Sequence, residues 1–141
     1  MNASRPRRRR GGFTLMEVLL VLVILVALAS MAVLAYGPIQ ESANKQLART
    51  QIGVFEKAIA RWKLNIGTYP QSLEVLVSPQ APSDLPNPAK WSGPYVDVNQ
   101  LPLDPWDQPY GYACPGQNNP MSFDVWSDGN PGNPEPIGNW E

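Results

Sequence analysis

Glu17 stands at the head of an otherwise apolar segment. Residues 18–36 read "VLLVLVILVALASMAVLAY", carry no charge, and have Ser30 as their one clearly polar side chain. Keeping an ionised carboxylate in hydrocarbon costs about 3 kcal/mol on insertion scales. A cation at about 4 Å, with an effective dielectric near ~20, returns about 4 kcal/mol. The acid therefore asks for a cationic partner. Elsewhere the chemistry-bearing residues are sparse. There is no histidine, which removes Ser–His and Cys–His catalysis and the commonest zinc ligand. Cys114 is alone, so no intrachain disulfide forms and it reads as a small, partly buried residue. Asp104 and Asp107 are of the type used in paired-carboxylate glycoside chemistry. A chain of 141 residues with this layout supplies no cleft for them, and no enzymatic activity is expected. Trp106, Tyr110, Tyr112 and Trp126 are the rings of a carbohydrate or peptide platform, or of a core. The core reading is the expectation.

The elements that position these residues follow from hydrophobic period. Residues 13–36 are long enough to span a bilayer as a helix. A cleavable signal is the rival, with "ALA" at 27–29 as its cut site. Against it, the apolar run continues past that site, and Glu17 interrupts the segment near its start. Gly37-Pro38 predicts a kink or local break. Beyond it, Ile52, Phe55, Ile59 and Trp62 recur at spacings of three and four, with Lys57, Arg61 and Lys63 largely off that stripe. This predicts an amphipathic helix with one buried face over residues 37–65. Glu41 and Lys45 are placed for an i,i+4 pair along it. At about 1.5 Å per residue, a helix over residues 13–64 would run roughly 75 Å, well beyond a bilayer core of about 30 Å.

"NIG" at 65–67 signals a helix end. Most of the sixteen prolines and eleven glycines follow, so residues 66–141 should be loop-rich. A short helix is expected from near Gln71. Strands are expected around residues 95–98, 110–113 and 122–126. In the last, Phe123 and Val125 should face one side and Asp124 and Trp126 the other. The expected fold class is α+β: a long N-terminal helix, half membrane-spanning and half amphipathic, packed by a small C-terminal antiparallel sheet with long loops.

Charge divides the chain. Five of the eleven basic residues are Arg5 and residues 7–10, leaving six against twelve acids in the rest. The acidic body excludes nucleic acid as its partner. The arginines match the cytoplasmic flank of a membrane helix, which leaves the C-terminal part periplasmic.

Basic residues, then "GFTLMEVLL", then the long apolar run resemble type IV pilin-like precursors. In that family prepilin peptidase cuts after the glycine and N-methylates the new amine. The resemblance places the cut between Gly12 and Phe13, making residues 1–12 a leader peptide. Gly11 offers a neighbouring alternative. Cleavage would create an amine on Phe13, the cation that Glu17 requires. Two pairings stay open: Glu17 with its own Phe13, or with the Phe13 of an adjacent copy, the arrangement the family implies for filament assembly.

The C-terminal half narrows the resemblance. "WKLNIGTYPQ", "LPLDPWDQPYGYACPG", "FDVWSDGNPG" and the terminal "IGNWE" are similar, in this order, to the major pseudopilins of type II secretion systems, the general secretion pathway protein G family. That implies a homopolymeric filament subunit at the inner membrane. Its partners would be minor pseudopilins, prepilin peptidase, the inner-membrane secretion platform and the lipid bilayer. The alternatives are a type IV pilin for adhesion, motility or DNA uptake, and a membrane-anchored periplasmic domain that never assembles. The family also implies Ca²⁺ in its last loop. Here Asp128 and Glu135 would supply carboxylates, and Val125 and Asn130 carbonyls. The sequence departs from the family pattern in four places. Asp107 replaces a glycine, the stretch before Asp128 is shorter, Pro38 comes about a turn late, and Pro136 replaces the second acid of a pair.

Overall fold

The computed structural model describes residues 12–141, and for residues 33–35 the backbone alone. The expected leader, with Arg5 and the arginines at 7–10, lies outside the described residues apart from Gly12. The elements are α1 (Leu15–Ile66), α2 (Glu74–Val77), a 3-10 turn (Pro88–Lys90), β1 (Gly111–Ala113), β2 (Asp124–Asn130) and β3 (Asn133–Gly138). The chain divides between Gln40 and Glu41 into two compact units.

The first unit is the apolar half of α1. Leu19, Leu22, Leu25 and Leu28 are all at least half exposed, and among the described side chains of this half none is buried. An 18-residue window in α1 has a mean hydropathy of 3.1, long and apolar enough to cross a membrane. Ser30 Oγ donates to the Val26 carbonyl at 2.8 Å, which satisfies that hydroxyl within the helix itself. The break expected at Pro38 is absent: Pro38 sits inside α1. Its ring already holds a helical φ, and the lost hydrogen bond is one among those of a 52-residue helix.

The second unit is built on the predicted stripe. Ile52, Phe55, Ile59 and Trp62 are all buried, joined by Ala48 and Ala58. Leu73, Leu76, Tyr95, Val96, Phe123, Val125 and Ile137 complete the core. Tyr110 meets Phe55 edge-on at 5.2 Å, and Trp62, Trp91 and Tyr95 form a triangle of rings 5.2–5.5 Å apart. The strand expected at residues 95–98 is not formed. Tyr95 and Val96 instead donate their N–H groups to one acceptor, the Leu76 carbonyl in α2. That helix is a single turn and starts three residues after Gln71.

The sheet is antiparallel, in the order β1-β2-β3. β1 falls within the expected segment. β2 starts inside its expected segment and runs on through Asp128 to Asn130. β3, "NPEPIG", was not expected as a strand, because two prolines cannot donate to a ladder. It is an edge strand paired only with β2, and it bulges. Ser127 pairs with Ile137 and Gly129 with Pro134, so Glu135 and Pro136 together oppose Asp128. Gly129 has φ 79°, and a side chain there would strike the Glu135 carbonyl.

Candidate functional site

The start of α1 carries a reciprocal cap. Thr14 precedes the first helical residue, and its Oγ1 accepts from the Glu17 N–H at 3.2 Å. The Glu17 carboxylate accepts in return from the Thr14 N–H at 3.1 Å and lies 3.4 Å from its hydroxyl. This is a capping box, satisfying two orphan donors of the helix start. "TLME" at 14–17 has the [ST]-x-x-[DE] pattern that signals it, a motif the sequence reading passed over. With Gly12 still attached, Phe13 has no free amine, and Glu17 engages Thr14. Phe13 is 85 % exposed, so the bond expected to be cut lies on an open segment.

The helix-borne pair expected between Glu41 and Lys45 is replaced by longer reaches. Glu41 accepts from Trp106 Nε1 at 3.3 Å and Asn130 Nδ2 at 3.1 Å. Lys45 pairs with Glu135 at 2.5 Å, and Arg49 with Glu141 at 2.6 Å. The Lys45 ammonium, first by its hydrogen bond and then by its charge, holds the Glu135 carboxyl below its ordinary range.

Two buried acids act as structural pegs. Asp124 shares a cleft with Trp126, on the side expected for it, and is buried. Its carboxylate accepts from the N–H and the side-chain amide of both Asn118 and Asn119, at 2.7–3.2 Å. Burial disfavours the charge, but these four donors outweigh it and hold the carboxyl below its usual value. Asp104 Oδ1 accepts from the N–H groups of Trp106 and Gln108, and Oδ2 from the Ser127 hydroxyl. Asp107, by contrast, is exposed with φ 61°, the left-handed conformation that suits the family's glycine at this place. Asp104 is therefore committed to holding its own turn. Asn139 is a further organiser. Its side chain accepts from the Val125 N–H and donates to the Phe123 carbonyl, and its own N–H donates to the Val125 carbonyl.

Three of the four aromatic residues, Trp106, Tyr110 and Tyr112, pack against the core, as expected, and Trp126 has other surroundings. Tyr110 packs on Phe55, and Tyr112 lies beside Phe123 with its hydroxyl donating to the Pro70 carbonyl. Burial raises both phenols, Tyr110 to about 12. Trp106 reaches Glu41. Trp126 lies on the face opposite Val125, 6.4 Å from Trp140, over Gly111, where a side chain would collide with the ring.

The four residues expected to hold calcium each have other partners. Glu135 turns to Lys45 on α1. Asp128 accepts from Trp126 Nε1 at 3.0 Å and lines a cleft with Trp126, Pro136 and Trp140. The Val125 carbonyl takes the Asn139 N–H, and the Asn130 side chain bridges Glu41 and the Gly132 N–H. Among the described residues no three acidic, histidine or cysteine side chains form a cluster. An acid at 136 would stand beside Asp128; proline stands there.

Residues 7–33 match the model of the prokaryotic N-terminal methylation motif, and residues 36–140 match that of the type II secretion system protein G. The chain belongs to the type II secretion system protein G family. Its relatives there include core protein G of Aeromonas hydrophila, 39 % identical over 139 residues, covering 95 % of this chain and 94 % of the relative. Core protein G of Pseudomonas aeruginosa is 37 % identical, covering 96 % and 98 %. A crystal structure of the major pseudopilin from enterohaemorrhagic Escherichia coli matches with a TM-score of 0.58 at 29 % identity. It covers 74 % of this chain and 93 % of that one.

Proposed function

We propose that this chain is a major pseudopilin, a non-enzymatic subunit that polymerises into the filament driving export of folded proteins by type II secretion. The observation that carries this reading is the division of α1. Its second half is the core of a compact body, while its first half exposes apolar side chains all round and needs lipid or other copies to cover them. The basic flank at residues 5–10 supports an N-terminus in the cytoplasm and a body in the periplasm.

In this reading prepilin peptidase removes residues 1–12 and methylates the Phe13 amine. The new cation meets Glu17 of the neighbouring copy, setting axial register while the apolar helices pack together. Before that, Thr14 keeps the carboxylate hydrogen-bonded. Minor pseudopilins and the inner-membrane platform are the remaining partners.

The test is Glu17→Ala in a host lacking its own protein G, read by sheared filaments and by export of a folded substrate. Both are expected to fall at least tenfold, as loss of a charge interaction of about 1.4 kcal/mol or more requires. Filaments and export at the unmodified level would overturn the mechanism. Normal export deficits without any twitching or DNA-uptake defect separate this role from that of a pilin.

A further inference from the structure

The C-terminal hairpin is weakly anchored by apolar burial. Of β3, only Ile137 and Gly138 are buried; residues 133–136 are exposed. No disulfide holds it, since Cys114 is the chain's one cysteine. What reaches it instead is a row on α1. Glu41, Lys45 and Arg49 stand at i, i+4 and i+8, on one face of the helix. Glu41 takes Asn130 at the end of β2, Lys45 takes Glu135 at the bulge, and Arg49 takes Glu141 at the chain's last position. These contacts span 89, 90 and 92 residues of sequence. The row thus fastens the hairpin at three points. It also commits Glu135, whose carboxylate a cation in this loop would need.

We propose that the Glu41–Lys45–Arg49 row is the clasp of the C-terminal hairpin, and that this chain closes the hairpin by its own ion pairs, without a divalent cation. The bulge makes this possible by turning Glu135 to the helix while Asp128 stays beside Trp126.

The test uses the full chain in detergent, with melting followed by near-ultraviolet circular dichroism. The midpoint is expected to agree within about 1 °C between excess Ca²⁺ and excess EDTA, because no carboxylate pair is available to the ion. Tb³⁺ is expected to show no saturable emission sensitised by Trp126 or Trp140. Lys45→Glu and Glu135→Lys should each lower the midpoint by roughly 3–8 °C, and the double exchange should recover at least half of the loss. High salt should lower the unmodified protein toward the single variants. A midpoint that drops by more than about 5 °C in EDTA and returns with Ca²⁺ would overturn the proposal. So would saturable Tb³⁺ emission lost in Glu135→Gln, or a double exchange no better than the single ones. The Ca²⁺ and Tb³⁺ arms need only the unmodified chain, so they decide even if a variant fails to fold.

Discussion

Replacing Asp124 by asparagine keeps the shape of the side chain and removes its charge. In the native turn the carboxylate accepts four hydrogen bonds from Asn118 and Asn119 and is 2 % exposed. Hydrogen bonds to a charged group contribute about 1.5–3 kcal/mol each and do not add fully. An amide in its place retains one acceptor oxygen and turns an NH₂ toward donors. The expected loss is about 2–3 kcal/mol, against a total stability of about 5–15 kcal/mol for a domain. For a body of about 100 residues this lowers the midpoint by roughly 10–20 °C. The pH dependence separates charge from shape. The folded carboxyl lies below its unfolded value of about 4, so its contribution is complete above that value and disappears as pH falls through the lowered one. The gap between the unmodified protein and Asp124→Asn should therefore be widest near neutrality and shrink below about pH 4. Glu135 is lowered too, but it is present in both proteins and cancels in the difference. Thermal melts of the full chain in detergent, from acid to neutral pH, measure the gap. A gap that is constant with pH, or a variant within about 1 °C of the unmodified chain, would refute the account of this turn.

Two smaller changes have defined signs. Asp107→Gly places the residue suited to φ 61° and should stabilise the body by up to about 1 kcal/mol, read as a midpoint a few degrees higher in the same melts. Thr14→Ala removes one half of the capping box and should cost about 1 kcal/mol at the helix start. Hydrogen–deuterium exchange should then speed about fivefold at the Glu17 amide, while the amides of residues 52–62 stay unchanged.

The stripe Ile52, Phe55, Ile59, Trp62 was legible because a 3.6-residue period survives without knowledge of what covers it. β3 was hidden because its two prolines are tolerated only at an edge with a bulge, and edge position is a tertiary fact. The period-2 alternation of residues 123–126 was legible, but not that Asp124 would be buried, because a local turn supplies its four donors. The Glu41–Lys45 expectation failed for a related reason: both residues found partners about 90 positions away that no helical spacing reports. Gly12, Phe13 and Glu17 were singled out by motif order, and the capping box of Thr14 and Glu17 was written in "TLME". The calcium residues entered through resemblance alone. Which side of a bulge each of them faces is a tertiary fact that no linear pattern reports.

The central claim is that removal of the leader exposes a cationic Phe13 amine for Glu17. Intact mass measurement of the chain extracted from membranes tests it most directly. The account predicts a protein beginning at Phe13 and heavier by one methyl group, about 14 Da. A chain that still carries residues upstream of Phe13, or that begins beyond it, would contradict the account.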